Sequence, residues 1–224
     1  KASSNMTFLG VLNSGTYVCQ SRIDLNISIS DNEGQDWQNF GKLPNQFPDI
    51  SNFMEGQSKD TLYYFSGSTD LYVLDKKKSE ISQVYKTKTP YSDALLTSKG
   101  NPVFFAKDSI IMLNNKAQWL KSIPNTFGDY LMGFPIENGQ FLIINQINKT
   151  LSLISHDLSV LINNQPMANN SYNKPYMWVN QNGNIYSLFS SKLHISTDFG
   201  QTFQVLKGQE NFLYFGDKLS VNAN

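Results

Sequence analysis

Three short aromatic–acidic segments hold the side chains of this 224-residue chain best suited to grip a ligand: Phe47-Pro48-Asp49, Tyr91-Ser92-Asp93 and Phe127-Gly128-Asp129. Phe215-Gly216-Asp217 repeats the pattern, and Tyr172 stands in the corresponding stretch without an acidic partner. An aromatic ring packs on the C–H face of a sugar while a carboxylate accepts its hydroxyls, and repetition of such pairs gives avidity. The structural alternative is that each Asp caps turn amides and each ring wedges between neighbouring sheets. Catalysis is a different demand. A glycosidase needs two carboxylates flanking one bond, and 13 Asp and five Glu offer many pairs, with Asp49, Asp93 and Asp129 first. Their repetition argues against that role, since a catalytic pair breaks the symmetry of its repeats.

Other chemistries lack their residues. His156 and His194 are the only histidines and form no spaced metal-ligand cluster. No G-x-S-x-G elbow accompanies them, and no Gly-rich phosphate loop occurs. No catalytic residue, metal or cofactor is therefore assigned.

A second constellation is Ser196-Thr-Asp198-Phe-Gly200-Gln-Thr202-Phe203, with a looser copy at Ser30, Asn32, Gly34 and Trp37. Asp198 suits a turn in which its carboxylate accepts backbone N–H bonds. Gly200 supplies a positive φ, and Ser196 and Thr202 close the hairpin mouth. Phe203 opens the return strand and buries its ring. A lone carboxylate cannot supply the six or more oxygens that calcium takes. The pattern resembles the Asp-box hairpin of sialidase-type and sortilin-type β-propellers. That resemblance implies a propeller fold and little about activity. Sialidases of that family hold their substrate's carboxylate with three arginines, because guanidinium forks match it; Arg22 is the only arginine here. Only the hairpin positions carry over.

The elements that must position these residues follow from spacing. Aromatic or apolar marks after polar turns fall at 37, 81, 119, 160 and 203, separated by 44, 38, 41 and 43 residues. This is the length of a four-stranded propeller blade. Glycines closing polar turns at Gly15, Gly100, Gly139 and Gly183, with Gly56 as a looser fifth, repeat at a similar period. Each unit reads as strand, glycine turn, strand, polar connection, strand, Asx-type turn, strand. Third strands are expected at 25–30, 71–75, 109–113, 151–155 and 193–196. The chain is thus expected to be all-β, a single propeller with units at 6–44, 45–89, 90–125, 126–165 and 166–208. Residues 209–224 are expected to close the ring or begin a sixth blade, and a missing blade can come from a second chain. A β-sandwich explains the strand number but not the period. Asn163–Pro175 is expected to be a long loop, with Tyr176 and Trp178 on one strand face.

Formal net charge is zero, which argues against nucleic acid or an anionic membrane as partner. No segment has the ~18 apolar residues of a membrane-spanning helix. Lys76-Lys77-Lys78 reads as a solvated hairpin tip, and Cys19 as a buried strand residue. Sequons at Asn5, Asn26, Asn148 and Asn169 point to glycosylation and the extracellular or lumenal route. The expected function is non-enzymatic recognition of a protein or glycan through the inter-blade loops. The alternatives are a glycoside hydrolase and one part of a larger propeller completed by another chain.

Overall fold

The computed structural model describes residues 6–21, 23–42, 53–55, 60–66, 69–168, 176–189 and 192–206. Twenty strands form five antiparallel four-stranded sheets, each built from strands consecutive in the chain. Sheet 1 contains β1 (Met6–Val11), β2 (Tyr17–Ser21), β3 (Asn26–Ser30) and β4 (Gln38–Lys42). Sheet 2 contains β5 (Phe53–Glu55), β6 (Thr61–Ser66), β7 (Asp70–Asp75) and β8 (Glu80–Lys86). Sheet 3 contains β9 (Tyr91–Leu96), β10 (Pro102–Ala106), β11 (Ser109–Leu113) and β12 (Trp119–Pro124). Sheet 4 contains β13 (Leu131–Pro135), β14 (Phe141–Asn145), β15 (Thr150–Ile154) and β16 (Val160–Pro166). Sheet 5 contains β17 (Tyr176–Val179), β18 (Ile185–Phe189), β19 (Lys192–Ser196) and β20 (Gln204–Val205). The chain is a five-blade β-propeller, and its described residues contain no α-helix. The sixth-blade expectation for 209–224 lies outside the described residues.

The turns explain the period. Gly15, Gly100 and Gly183 all have positive φ and close the first hairpin of sheets 1, 3 and 5 with the same pair of bonds. In sheet 3, Thr97 N–H donates to Asn101 C=O and Gly100 N–H to Thr97 C=O. Leu12/Gly15/Thr16 and Asn180/Gly183/Asn184 repeat this pattern. Sheet 4 keeps the first bond, Ile136 N–H to Gln140 C=O, and the positive-φ glycine at Gly139, but turns through a short 3-10 segment, Glu137–Gly139. The third hairpins of sheets 3 and 4 use the same five-residue turn, with Ala117 and Leu158 at the left-handed position. Residues 163–166, expected in a loop, belong to β16, because Gln165 and Pro166 stay in register with Leu151 and Thr150.

Packing is between sheets, and sheets 2, 3 and 4 each contribute two apolar faces to cores. Val18, Ile27 and Ile29 of sheet 1 pack on Leu62, Tyr64, Tyr72 and Leu74 of sheet 2. Tyr63 and Leu71 then meet Tyr91, Ala94, Phe104 and Leu113 of sheet 3. Val103, Phe105, Ile110 and Met112 meet Leu131, Phe141, Ile143 and Ile154 of sheet 4. Leu142, Ile144, Leu151 and Leu153 meet Ile185 of sheet 5, with Met177, Val179 and Phe203 beside it. Alternation along a strand assigns the two faces: adjacent Phe104 and Phe105, both fully buried, serve different cores. Burying each such side chain stabilises the fold by roughly 1.5–3 kcal/mol.

Two glycines separate conformational from steric demands. A Cβ on Gly133 would lie 2.1 Å from Phe105 Cε2 and 2.6 Å from Leu95 Cδ2. A Cβ on Gly15 would meet nothing within 4 Å, but its φ is +84°. Gly133→Ala is expected to destabilise by about 2–3 kcal/mol through overpacking, and Gly15→Ala by about 1 kcal/mol through backbone strain. Urea unfolding of both variants checks the order.

Candidate functional site

The two described aromatic–acidic segments, at 91–93 and 127–129, do not form equivalent pockets. Tyr91 opens β9 and pairs with Ala106 at the end of β10, as Leu131 pairs with Asn145 at the end of β14. A bulge after Tyr91 pairs Asp93 with Phe105, as Met132 pairs with Ile144, so the counterpart of Asp93 is Met132, and Asp129 precedes its strand. The shared spelling arises from two different local structures, which corrects the expectation of a repeated site. Tyr91 and Phe127 are both buried and belong to inter-sheet cores. Phe47, Asp49 and Tyr172 lie outside the described residues.

Asp93 is turned into the junction of sheets 3 and 4. Its carboxylate accepts bonds from Gly133 N–H at 2.9 Å and Ala94 N–H at 2.8 Å. Burial pushes its pKa up to about 6, against the opposing pull of those two amides. Asp129 faces outward instead. It lines a cleft of about 320 Å³ with Tyr91, Ser92, Lys107, Asn125 and Tyr130 at the end of the third and fourth sheets where β9 and β13 begin. Asn125 holds the floor together: its Nδ2 donates to the carbonyls of Ala106, Lys107 and Gly128, and its Oδ1 accepts from Phe127 N–H. Asn145 performs the adjoining task, donating to Phe127 C=O and accepting from Ile147 and Asn148 N–H. Ser92 Oγ donates to Phe105 C=O.

The rim is different. Tyr130 is 65% exposed and has a φ of +56°, a conformation a bulky side chain adopts at a cost of about 1–2 kcal/mol. Among the described residues, the exposed side chains of Lys107 and Asp129 make no ion pair with each other or with another group. A ring, an ammonium and a carboxylate thus border one concavity with their binding capacity unspent. Lys107 and Tyr130 were not legible as site residues. Their signal is the backbone of Tyr130 and the convergence of β10 with the segment before β13.

The hairpin residues assemble as a cap. Asp198 Oδ1 accepts from Ser196 Oγ at 2.7 Å and Thr202 N–H at 2.9 Å, and Oδ2 accepts from Thr202 Oγ1 at 2.6 Å. Gly200 N–H donates to Ser196 Oγ at 2.8 Å. These bonds hold the Asp198 carboxyl down at about 2, the Thr202 hydroxyl first. In sheet 1, Asn32 accepts from Ser30 Oγ at 2.9 Å and Asp36 N–H at 2.9 Å, and Gly34 N–H donates to Ser30 Oγ at 2.9 Å. Trp37 folds back onto this turn, its Nε1 donating to Gly34 C=O at 3.0 Å, and Phe203 packs at the core of sheets 4 and 5. Trp119 pairs with Leu113 at the matching end of its hairpin, yet is 62% exposed. Its turn has five residues between the strands where those of sheets 1 and 5 have seven, and Asn114 alone caps Lys116 and Gln118 N–H.

Of the sequons, Asn148 is exposed in the turn after β14 and Asn26 opens β3, while Asn5 and Asn169 lie outside the described residues. Cys19 is buried in β2. Lys76 departs from a solvated tip: it is half-buried and pairs with Asp31 at 2.5 Å, joining sheets 1 and 2. His156 is exposed in the β15–β16 turn, and His194 lies within β19, where burial and then Lys192 lower its pKa.

No protein-family model matches the chain, and no curated protein does. Among solved structures, the chain is similar to virginiamycin B lyase from Staphylococcus aureus, with a TM-score of 0.63 and 12% identity over 88% of this chain and 68% of that one. It is similar to YCF48 bound to D1 peptide, at 0.56 and 11% over 87% of this chain and 65% of that one. It is also similar to a GH74 enzyme from Niastella koreensis, at 0.59 and 13% over 90% of this chain and 31% of that one. At such identities the likeness shows the propeller fold and no more.

A raised carboxyl pKa means the folded state holds a proton that the unfolded chain releases. Stability from Asp93 is therefore fully present below pH 4 and is lost as pH rises through about 6, by up to about 3 kcal/mol. Asp93→Asn is expected to abolish this decline. Thermal melts of both proteins between pH 4 and 7.5 check it; parallel profiles would show that Asp93 keeps an ordinary pKa.

Proposed function

We propose that this protein is a non-enzymatic recognition module that binds a protein segment in the cleft between the third and fourth sheets. The observation that carries this reading is the exposed, backbone-strained Tyr130 beside the unpaired charges of Lys107 and Asp129. Strain of this kind gathers where a side chain is held for a ligand. Tyrosine is also a preferred anchor in binding interfaces, rigid and amphipathic. An ammonium and a carboxylate bordering one cleft suit a peptide, whose backbone and side chains offer both acceptors and donors. The likeness to YCF48 bound to D1 peptide gives the same fold a precedent for peptide binding.

A glycan is the second reading, favoured by the adjacency of the Tyr130 ring and the Asp129 carboxylate. The hydrolase reading draws on the GH74 likeness. It is less supported, because Asp93 turns into the sheet junction and Asp129 onto the surface, so the two do not flank a common space. The cap networks at Ser196–Thr202 and Ser30–Asp36 support the Asp-box resemblance. The exposed sequon at Asn148 favours an extracellular or lumenal location.

Peptide and glycan arrays probed with the purified protein identify the ligand class. Tyr130→Ala is expected to weaken binding at least tenfold, and Asp129→Asn with Lys107→Ala several-fold, with unchanged melting curves. Binding that survives Tyr130→Ala would remove the cleft from consideration. Expression through a eukaryotic secretory pathway is expected to add glycan at Asn148, read as a mass shift lost on Asn148→Gln.

A further inference from the structure

The cleft between the third and fourth sheets is bordered by backbone donors as well as by side chains. Gly128, Asp129 and Tyr130 line it in succession, outside any strand. Gly128 has a φ of +96° and Tyr130 of +56°, whereas Asp129 between them is not left-handed. Alternation of this kind turns successive amide N–H groups toward one side and makes a concavity that suits an anion. Among the described residues, the N–H groups of Gly128, Asp129 and Tyr130 donate to no acceptor. Their carbonyls are engaged: that of Gly128 accepts from Asn125 Nδ2 and that of Tyr130 from Gln146 N–H.

Other turns of the molecule fill such amides from within. Asp198 Oδ1 accepts from Thr202 N–H, Asn114 Oδ1 from Lys116 and Gln118 N–H, and Asn145 Oδ1 from Ile147 and Asn148 N–H. Beside the cleft, Asn125 takes the N–H of Phe127 and Asn145 its C=O, and neither goes further along the turn. The Asp129 carboxylate accepts no bond among the described residues. Position 128 admits no side chain, because a Cβ there would stand 2.6 Å from Asn145 Nδ2. Lys107, from the turn between β10 and β11, borders the same cleft without an ion pair among the described residues. Amides and an ammonium so placed complement one negative charge. With Asp129 alongside, a carboxylate is matched better than a phosphate, which brings about 1.5–2 charges at pH 7.

We propose that the 128–130 backbone and Lys107 form a carboxylate subsite of the cleft, which takes the C-terminal carboxylate or an acidic side chain of the bound segment. This inference deepens the peptide reading and rests on it. Backbone N–H groups in a concavity are a recurrent means of capturing a chain end. A charge anchored there fixes the register of the segment, with the Tyr130 ring against its neighbouring residues and the Asp129 carboxylate available to their N–H groups.

Acetate, titrated into the isotope-labelled full chain and followed by amide NMR, tests the subsite without any peptide. The resonances of Gly128, Asp129 and Tyr130 are expected to move downfield and saturate. Acetamide at the same concentrations is expected to leave them in place, and Lys107→Ala to weaken the acetate response several-fold. Shifts that fail to saturate, or that acetamide reproduces, would overturn the subsite. A peptide whose binding depends on Tyr130 then separates the two sources. If the chain end is held, amidation of the C-terminus is expected to weaken binding about tenfold; if a side chain is held, an acid-to-amide change within the peptide does so. A Tyr130-dependent peptide indifferent to both changes would overturn the carboxylate assignment and leave the recognition reading standing. A saturable acetate response with no peptide bound at the cleft would overturn the recognition reading and leave the anion subsite standing.

Discussion

A β-sheet that is apolar on both faces cannot stop at water on either side, and this constraint organises the molecule. Sheets 2, 3 and 4 each hold one neighbour with one set of alternate residues and another neighbour with the other set. Phe104 and Phe105 show the arrangement at its most compressed: adjacent in sequence, fully buried, and facing different cores. Stability is therefore shared between sheets. A sheet lifted out of its place would lose two cores, whereas a two-layer sandwich buries only one face of each sheet. The outer strands escape the rule, so β4, β12 and β16 are largely exposed.

Much of this was legible. Turn glycines and third strands could be located because left-handed turns select glycine and because alternation of apolar residues has a period of two. The third strand of sheet 3 lies at Ser109–Leu113, where spacing placed it. What spelling concealed was register. Tyr91-Ser92-Asp93 and Phe127-Gly128-Asp129 look alike, but one lies inside its strand and the other before it. Trp119 keeps its place along the hairpin but not its burial, because a turn shortened by two residues changes how the return strand enters. Asn163–Pro166 reads as loop by composition and is strand by pairing, since an outer strand needs no apolar face. Lys76 resembles its neighbours Lys77 and Lys78 until the turn carries it against Asp31. The candidate cleft was half legible: Asp129 could be named from its segment, whereas Lys107 and Tyr130 are brought to it by the chain's path alone.

The cleft also illustrates how a rigid scaffold frees a few side chains for binding. Asn125 and Asn145 spend nearly all their hydrogen-bonding capacity on local backbone. Residues so committed hold the walls in place. Those beside them, Tyr130 above all, are then left projecting with no structural duty, which is the division of labour expected where loops on a packed framework meet a partner.

The missing side chain at position 133 has a consequence for modularity. Phe105 presses against the backbone of β13 where any Cβ would stand, and Asp93 takes the amide of the same residue. The junction is keyed like a lock with one matching bit, and the other junctions carry different bits, such as the Lys76–Asp31 pair. The repeats are alike in outline but not interchangeable. A shuffled version of this protein, with its sheets permuted in order, would keep every strand pattern and lose the fits that decide which unit sits beside which.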